Sequence, residues 1–356
     1  MKEITVIPET VCYIRATYYV GDINNPVKLV NKLGGITEMW IEKEGQKANP
    51  IFLKPTWTFS FPETGEYKVC FRIETETILT RAFEDCTALT SIVIPEGVTE
   101  IGKSAFWGCE GLISVVIGNS VKSIGYDAFN GCTGLTSVVI PNSVTSIEEG
   151  AFQDCSGLTS VTISEGVTEI GATAFENCTS LTAITIPEGV TEIGQLAFDG
   201  CTGLTSVTIP NSVTRIGSGA FYECTSLEKI TLSSTLKEIG NYAFQNCTAL
   251  TSVTLPQGLS QVGDEAFNGC TSLASVTLPS TLESIGIGAF RNCSNLAAIT
   301  CKASSAPSLG GNVFYSVNPA GILTVPTGAT GYDQWMKNGY GYLGYRNWTK
   351  VESSEL

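Results

Sequence analysis

Residues 129–152 read FNGCTGLTSVVIPNSVTSIEEGAF and contain one complete copy of a unit that recurs along most of the chain. In each copy a cysteine lies three residues after a phenylalanine and three residues before a leucine, and successive cysteines are 23 residues apart. The unit reads AFxxCTxLTSVxIPxxVTxIGxx. A fixed period of this length predicts a solenoid, because one unit buries too little by itself and stacked units share a continuous core. The ten cysteines are Cys86, Cys109, Cys132, Cys155, Cys178, Cys201, Cys224, Cys247, Cys270 and Cys293.

The spacing within the unit predicts its local structure. Leu135, Val138 and Ile140 occupy an L-x-x-V-x-I pattern whose last part alternates with period two, which is typical of a short β-strand. The following Pro-Asn-Ser indicates a turn. Val144 and Ile147 mark a second short extended segment. The Gly-x-x-Ala-Phe stretch then predicts a turn that leads into one helical turn and packs the phenylalanine inward, and stacking makes the strands a parallel ladder.

The repeated pattern AFxxCxxLxxVxIPxxVxxIGxxAF resembles the BspA-like leucine-rich repeats of bacterial surface proteins, with the Bacteroides type as the nearest comparison. The resemblance covers about 225 of the 356 residues and recurs without insertion or deletion from Phe83 to Phe290. It predicts a right-handed β-solenoid of leucine-rich-repeat type with about ten coils, about 50 Å long at one strand spacing per coil. It also implies a cell-surface or secreted protein that engages in adhesion.

The flanks lack the 23-residue period, so we predict three parts: a small all-β domain at 1–72, the solenoid at 73–302 and a capping segment at 303–356. Segments such as GEYKVCFRI predict strands in the first part, as an Ig-like sandwich or as an N-terminal cap of the solenoid, and we favour the sandwich. The last part contains a strand, ILTVP, and a possible short helix near Tyr332. It either covers the last coil or forms an aromatic ligand pocket, and we favour the cap because solenoid ends need covering.

Composition restricts the function. The chain has 20 Lys and Arg against 34 Asp and Glu, a net charge of −14, and no basic run of the kind that binds nucleic acid. It contains no histidine, which removes the commonest general base and metal ligand, so we expect no enzyme, no catalytic or metal site and no cofactor. No apolar run is long enough to cross a membrane. The N-terminus lacks a signal-peptide pattern, yet we favour a cell-surface or secreted location over a cytoplasmic one.

The cysteines predict a structural role. Each ladder cysteine lies between an inward phenylalanine and an inward leucine, and stacked copies about 5 Å apart have parallel Cα–Cβ bonds that do not suit a disulfide. We therefore interpret them as a column of small, buried and inert residues. Cys12 and Cys70 lie outside the column, and a disulfide between them is a further hypothesis.

A partner is expected on the outward side of the strand ladder, which is rich in hydroxyl groups. Uncharged hydroxyls suit a host protein or a glycan better than an ion or a phosphate, although solvated polar ladders have the same composition. A structural spacer that displays the N-terminal domain is the alternative function. The candidate binding residues are Thr136, Thr159, Thr162, Thr182, Thr185, Thr205, Thr208, Glu228, Lys229, Thr251 and Thr254.

Four aromatic residues at variable positions of the repeat are weaker candidates. Trp107 and Tyr222 follow the core phenylalanine of their copies, and Tyr126 and Tyr242 lie in the neighbouring Gly-x-x-Ala loop. Exposed aromatic residues favour recognition. Because these four are scattered over several copies, we expect that they do not make one patch.

Overall fold

A computed structural model describes residues 13–31, 36–43, 51–53 and 57–356 of the chain. The 23-residue unit forms the coils of a β-solenoid of about 12 turns, so the fold class predicted from the repeat is confirmed. The two turns beyond the ten regular copies come from the irregular C-terminal sequence. Each coil contributes one strand to a first ladder, one short strand to a second ladder and a series of turns that closes the coil.

The first ladder is built from the predicted V-x-I segments, which pair in parallel with a shift of one repeat. Val138, for example, pairs with Val161, and both side chains are buried while their neighbours along the strand are exposed. The hydrogen-bonded strands of the first ladder belong to two sheets, and the first sheet ends at the strand Lys229–Thr231. The strands are Leu89–Ile94, Ser114–Ile117, Ser137–Ile140, Ser160–Ile163, Ala183–Thr185, Ser206–Thr208, Lys229–Thr231, Ser252–Thr254, Ser275–Leu278, Ala298–Cys301, Ala320–Pro326 and Asn347–Ser353.

The second ladder consists of two-residue strands whose second residue is apolar and points into the core. Ile124 pairs with Ile147 and with Ile101, and all three are buried. The strands are Thr77–Ile78, Glu100–Ile101, Ser123–Ile124, Ser146–Ile147, Glu169–Ile170, Glu192–Ile193, Arg215–Ile216, Glu238–Ile239, Gln261–Val262, Ser284–Ile285 and Ser308–Leu309.

The third side of each coil differs from the prediction, because turns replace the expected helical turn. In one coil Ser104 and Gly108 have left-handed backbones, with φ of 52° and 68°, and this interrupts any helix. The N–H of Phe106 donates to the carbonyl of Ala128 in the next coil at 2.7 Å, whereas the N–H of Cys109 donates back to Phe106 at 3.1 Å. Alternate backbone groups thus bond between coils, which an α-helix does not allow. We call this side of the solenoid the turn side.

A column of stacked phenylalanines forms the centre of the core. Adjacent rings from Phe83 to Phe290 are nearly parallel, with centroids from 4.9 Å apart at Phe106–Phe129 to 5.5 Å apart at Phe175–Phe198. The ladder cysteines and leucines beside them are fully buried. Burial raises the pKa of the Cys201 and Cys270 thiols to about 12, which keeps both neutral.

The described residues of the N-terminal segment form six strands: β1 (Tyr13–Val20), β2 (Val27–Lys28), β3 (Ile36–Lys43), β4 (Ile51–Leu53), β5 (Thr58–Phe59) and β6 (Gly65–Ile73). Strands β4, β3, β6 and β1 pair antiparallel in that order, and β2 pairs with β5. Strand β1 also pairs antiparallel with Leu89–Ile94, so the first ladder continues into this sheet. The Ig-like sandwich stays a prediction, as does the Cys12–Cys70 disulfide, because Cys12 lies outside the described residues.

The C-terminal segment extends the core. Phe314 stacks on Phe290 with ring centroids 6.2 Å apart, and Trp335 packs on Phe314 at 5.5 Å. The buried Trp335 donates from Nε1 to the carbonyl of Pro307 at 3.0 Å, and the Tyr332 hydroxyl donates to the carbonyl of Ala303 at 2.8 Å. These rings are therefore engaged in packing and internal hydrogen bonds. Two 3₁₀-helices, Tyr332–Gln334 and Leu343–Tyr345, lie between the last two strands.

Candidate functional site

All eleven candidate residues of the first ladder are exposed on its outward side. They form three columns that run across the coils, because the parallel register places equivalent residues side by side. Val139 pairs with Thr162, and Thr162 pairs with Thr185. The first column contains Thr136, Thr159, Thr182, Thr205, Glu228 and Thr251, the second contains Lys229, and the third contains Thr162, Thr185, Thr208 and Thr254.

The first and third columns differ in how their hydroxyl groups are used. In the first column the Thr159 hydroxyl donates to the carbonyl of Thr136 at 3.0 Å, and the Thr205 hydroxyl donates to the carbonyl of Thr182 at 3.3 Å. Thr136 and Thr251 make the same bond to the preceding coil. These hydroxyls already donate hydrogen bonds within the solenoid. The first column therefore agrees with the alternative interpretation of the ladder as a structural polar ladder.

The third column presents hydroxyls that face solvent. Within the described part of the chain, the hydroxyls of Thr162, Thr185 and Thr208 have no protein hydrogen-bond partner, and each side chain is exposed. They keep their full capacity to donate and accept. Its hydroxyls are therefore available to a partner, whereas the bonded hydroxyls of the first column are not, a distinction that the sequence pattern does not make.

An apolar group adjoins the third column at its N-terminal end. Val93, Val116 and Val139 continue the column and are 40%, 57% and 60% exposed, while Ile113 lies at the corresponding end of the first column and is also exposed. Contiguous exposed apolar side chains on a folded protein mark interaction surfaces more often than isolated ones do. We call Val93, Ile113, Val116 and Val139 the apolar end of the ladder.

The structure changes the interpretation of the four variable aromatic residues. Tyr222 and Tyr242, expected to be separate, line one cavity of about 680 Å³ on the turn side. Tyr126 instead lies under the ammonium group of Lys103, 4.2 Å from its ring centre, and Trp107 is exposed in a different coil. Sequence reasoning missed the shared cavity because the two tyrosines occupy different positions of the repeat.

Carboxylates on the turn side influence one another. Burial, followed by the negative charges of Glu176 and Glu223, raises the pKa of Asp199 to about 6. Burial and Asp154 raise the pKa of Glu176 as well. Among the described residues, no group of three or more acidic or cysteine side chains is arranged to hold a metal ion. The same residues include no helix long and apolar enough to cross a membrane.

A stack of parallel 23-residue coils with leucine, valine, isoleucine and phenylalanine at fixed inward positions defines a leucine-rich-repeat protein. The family profile described as "BspA type Leucine rich repeat region (6 copies)" matches residues 76–205 and 193–320, which is more than half of the chain. The chain belongs to this BspA-type leucine-rich-repeat family. The resemblance stated from the sequence is thus confirmed.

Solved structures of bacterial repeat proteins are similar to the chain. A leucine-rich repeat protein from Bacteroides ovatus ATCC 8483 is 26% identical, with a TM-score of 0.57 over 78% of this chain and 75% of that chain. A leucine rich cell surface protein from Faecalibacterium prausnitzii A2-165 is 30% identical, with a TM-score of 0.34 over 65% of this chain and 84% of that chain. The first similarity supports the solenoid fold over most of the chain. A comparison with curated proteins found no match.

Proposed function

We propose that the chain is a recognition scaffold of the bacterial cell surface or extracellular space that binds a host protein or glycan, with adhesion as its leading role. The observation that carries this proposal is the third column, where Thr162, Thr185 and Thr208 present unoccupied hydroxyls in register on a rigid ladder. Hydrogen-bonded parallel strands hold these groups in place before binding, so association costs little conformational entropy. The extracellular location follows from the family resemblance.

The apolar end of the ladder favours a protein partner over a glycan at this face. A partner that lies along the ladder meets apolar side chains at Val116 and Val139 and hydroxyls from Thr162 onward. No charged side chain occurs in the third column between Val93 and Thr254. Binding there should consequently depend weakly on salt, because exposed charge pairs are the contacts that salt screens.

A non-catalytic role is part of the same proposal. The absence of histidine from the whole sequence removes the usual general base, and the side chains of the third column from Val93 to Thr254 are hydroxyl and aliphatic groups. We expect recognition without chemical turnover.

The test is binding of the full chain to a panel of host matrix proteins and glycans at physiological salt. Single Thr162→Glu, Thr185→Glu and Thr208→Glu variants should each weaken a specific interaction at least tenfold, because each places a charge where the partner packs. Thr168→Glu is the matched control, since Thr168 is equally exposed but lies beside the second ladder. Binding that all four variants leave unchanged would exclude the ladder as the site, and an empty panel would favour the spacer role.

A further inference from the structure

The cavity on the turn side lies where one position of the repeat carries no side chain. Leu196, Gly219 and Tyr242 occupy the same position in three successive coils, immediately before the alanine of Ala-Phe, and all three have left-handed backbones with φ of 55° to 62°. All three residues line the cavity. A Cβ atom at 219 would lie 2.5 Å from Leu196 Cδ2, so the Leu196 side chain extends over Gly219. A side chain at 219 would therefore have to displace Leu196 within the lining of the cavity.

The lining of the cavity combines aromatic rings with hydrogen-bond acceptors. Tyr222 and Tyr242 contribute rings, and Tyr242 is 44% exposed. Asp199 and Glu265 contribute carboxylates. The Oε1 atom of Gln245 is buried and has no hydrogen-bond donor within the described residues, although buried carbonyl oxygens are normally paired. The lining thus contains two carboxylates and one buried acceptor that the described residues leave unpaired.

The acceptors and rings select the chemistry of a ligand. The lining contains no lysine or arginine, so a phosphate, a sulfate or a carboxylate would meet negative charge without compensation. A neutral saccharide has several hydroxyl donors for the carboxylates, and its apolar C–H face packs on an aromatic ring. The volume of about 680 Å³ is within the range of small-molecule sites. It is larger than one lysine side chain, the cationic group that the two carboxylates could otherwise bind.

We propose that this cavity binds a neutral saccharide, with a sugar ring against Tyr242 and hydroxyls directed to Asp199 and Glu265. The site lies on the turn side and is separate from the outward face of the first ladder. It adds a small-molecule subsite to the proposed recognition function and does not depend on where a protein partner binds.

The experiment measures binding of the full chain to maltose, lactose, cellobiose and chitobiose, with sialyllactose and a hexalysine peptide as charged probes. Saturation-transfer NMR detects binding, and calorimetry gives the dissociation constant. At least one neutral disaccharide should bind with a Kd of about 1 mM or below. Tyr242→Ala should weaken that binding at least tenfold, and Gly219→Asn should abolish it, because asparagine tolerates the left-handed backbone and its side chain must displace Leu196 within the lining of the cavity.

Gly150→Asn is the matched control, since Gly150 occupies the same repeat position with φ of 66° and lies outside the cavity. It should bind the sugar as the unchanged protein does. Thr185→Glu should also leave sugar binding unchanged, which separates this site from the ladder. The proposal is overturned if no neutral disaccharide binds, if Tyr242→Ala and Gly219→Asn bind as well as the control, or if hexalysine binds more tightly than every sugar.

Discussion

The thiol of Cys178 lies 3.3 Å from the carbonyl oxygen of Phe152, which precedes it by 26 residues and belongs to the neighbouring coil. The same contact joins each ladder cysteine from Cys109 to Cys293 to a phenylalanine carbonyl, at 3.0 to 3.3 Å. The Phe152 carbonyl also accepts the N–H of Cys155 in its own coil at 3.3 Å. The thiol is a small donor that fits between coils, so the cysteine column links the coils as well as filling the core.

Replacing one ladder cysteine should reveal this link. Cys178→Ala removes the thiol hydrogen bond and leaves a small cavity, and we expect a loss of about 1–2 kcal/mol in the free energy of unfolding. Cys86→Ala is the matched control, because the Cys86 thiol has only a 3.9 Å contact with the carbonyl of Glu84 in its own coil. Urea unfolding of both variants makes the comparison. Equal losses would show that the contact between coils contributes nothing.

The ladder thiols should resist alkylation in the folded protein. Burial raises the pKa of Cys201 and Cys270 to about 12, so at pH 8 almost no thiolate is present, and the side chains are inaccessible to reagent. Iodoacetamide at pH 8 should leave both residues unmodified for hours and label them within minutes in denaturant. Peptide mass spectrometry reads the result. Rapid labelling of the folded protein at either site would contradict the buried and inert column.

The sequence predicts which residues form the buried columns of the core, but it does not predict the hydrogen bonds between coils. The spacing of Phe129, Cys132 and Leu135 places three apolar groups on one side of a coil, and that spacing correctly predicts their burial. The predicted helical turn is wrong because the residue before each Ala-Phe has a left-handed backbone, even at Thr173 and Leu196, which rarely adopt it. Contacts between coils impose that conformation, and local propensity does not reveal them.

The candidate site was predictable to a similar extent. The alternation of the strands places Thr159 and Thr162 outward, and the structure agrees. The Thr159 hydroxyl donates to a carbonyl of the preceding coil. The sequence pattern does not reveal this bond, so it does not distinguish Thr159, whose hydroxyl is bonded, from Thr162, whose hydroxyl is not bonded among the described residues. Tyr222 and Tyr242 line one cavity although they belong to successive coils and to different positions of the repeat, so the sequence pattern does not bring them together.

The left-handed backbone at Thr173 predicts a stabilising substitution. A β-branched residue with φ of 51° is strained by about 1–2 kcal/mol, whereas glycine adopts this conformation freely. Part of the gain is offset by the greater freedom of glycine in the unfolded chain, so Thr173→Gly should raise the free energy of unfolding by about 0.5–1 kcal/mol. Thr162→Gly, in a strand, should lower it by a similar amount. Urea unfolding tests both, and a loss at Thr173 would contradict the strain.

Asp199 should make the stability of the solenoid depend on pH. Its pKa is raised from 3.8 to about 6, first by burial and then by the charges of Glu176 and Glu223. The folded state therefore favours the protonated acid. This contribution to stability is fully present below about pH 4, is lost as the pH rises through 6, and leaves an ionised carboxylate that disfavours folding at pH 7.5.

Asp199→Asn removes that ionisation and should stabilise the protein at pH 7.5 by up to about 1 kcal/mol, a value reduced for solvent screening because Asp199 is half-exposed. At pH 4 the variant and the unchanged protein should have nearly equal free energies of unfolding, apart from the smaller effect of Glu176, whose pKa is also raised.

Glu96→Gln serves as a control of opposite sign. Hydrogen bonds from Asn119 and Ser120 lower the pKa of Glu96, so this change should cost stability at pH 7.5. Urea unfolding at the two pH values distinguishes these outcomes, and a gain for Asp199→Asn that is equal at both would show that the carboxylate is not disfavoured by its surroundings.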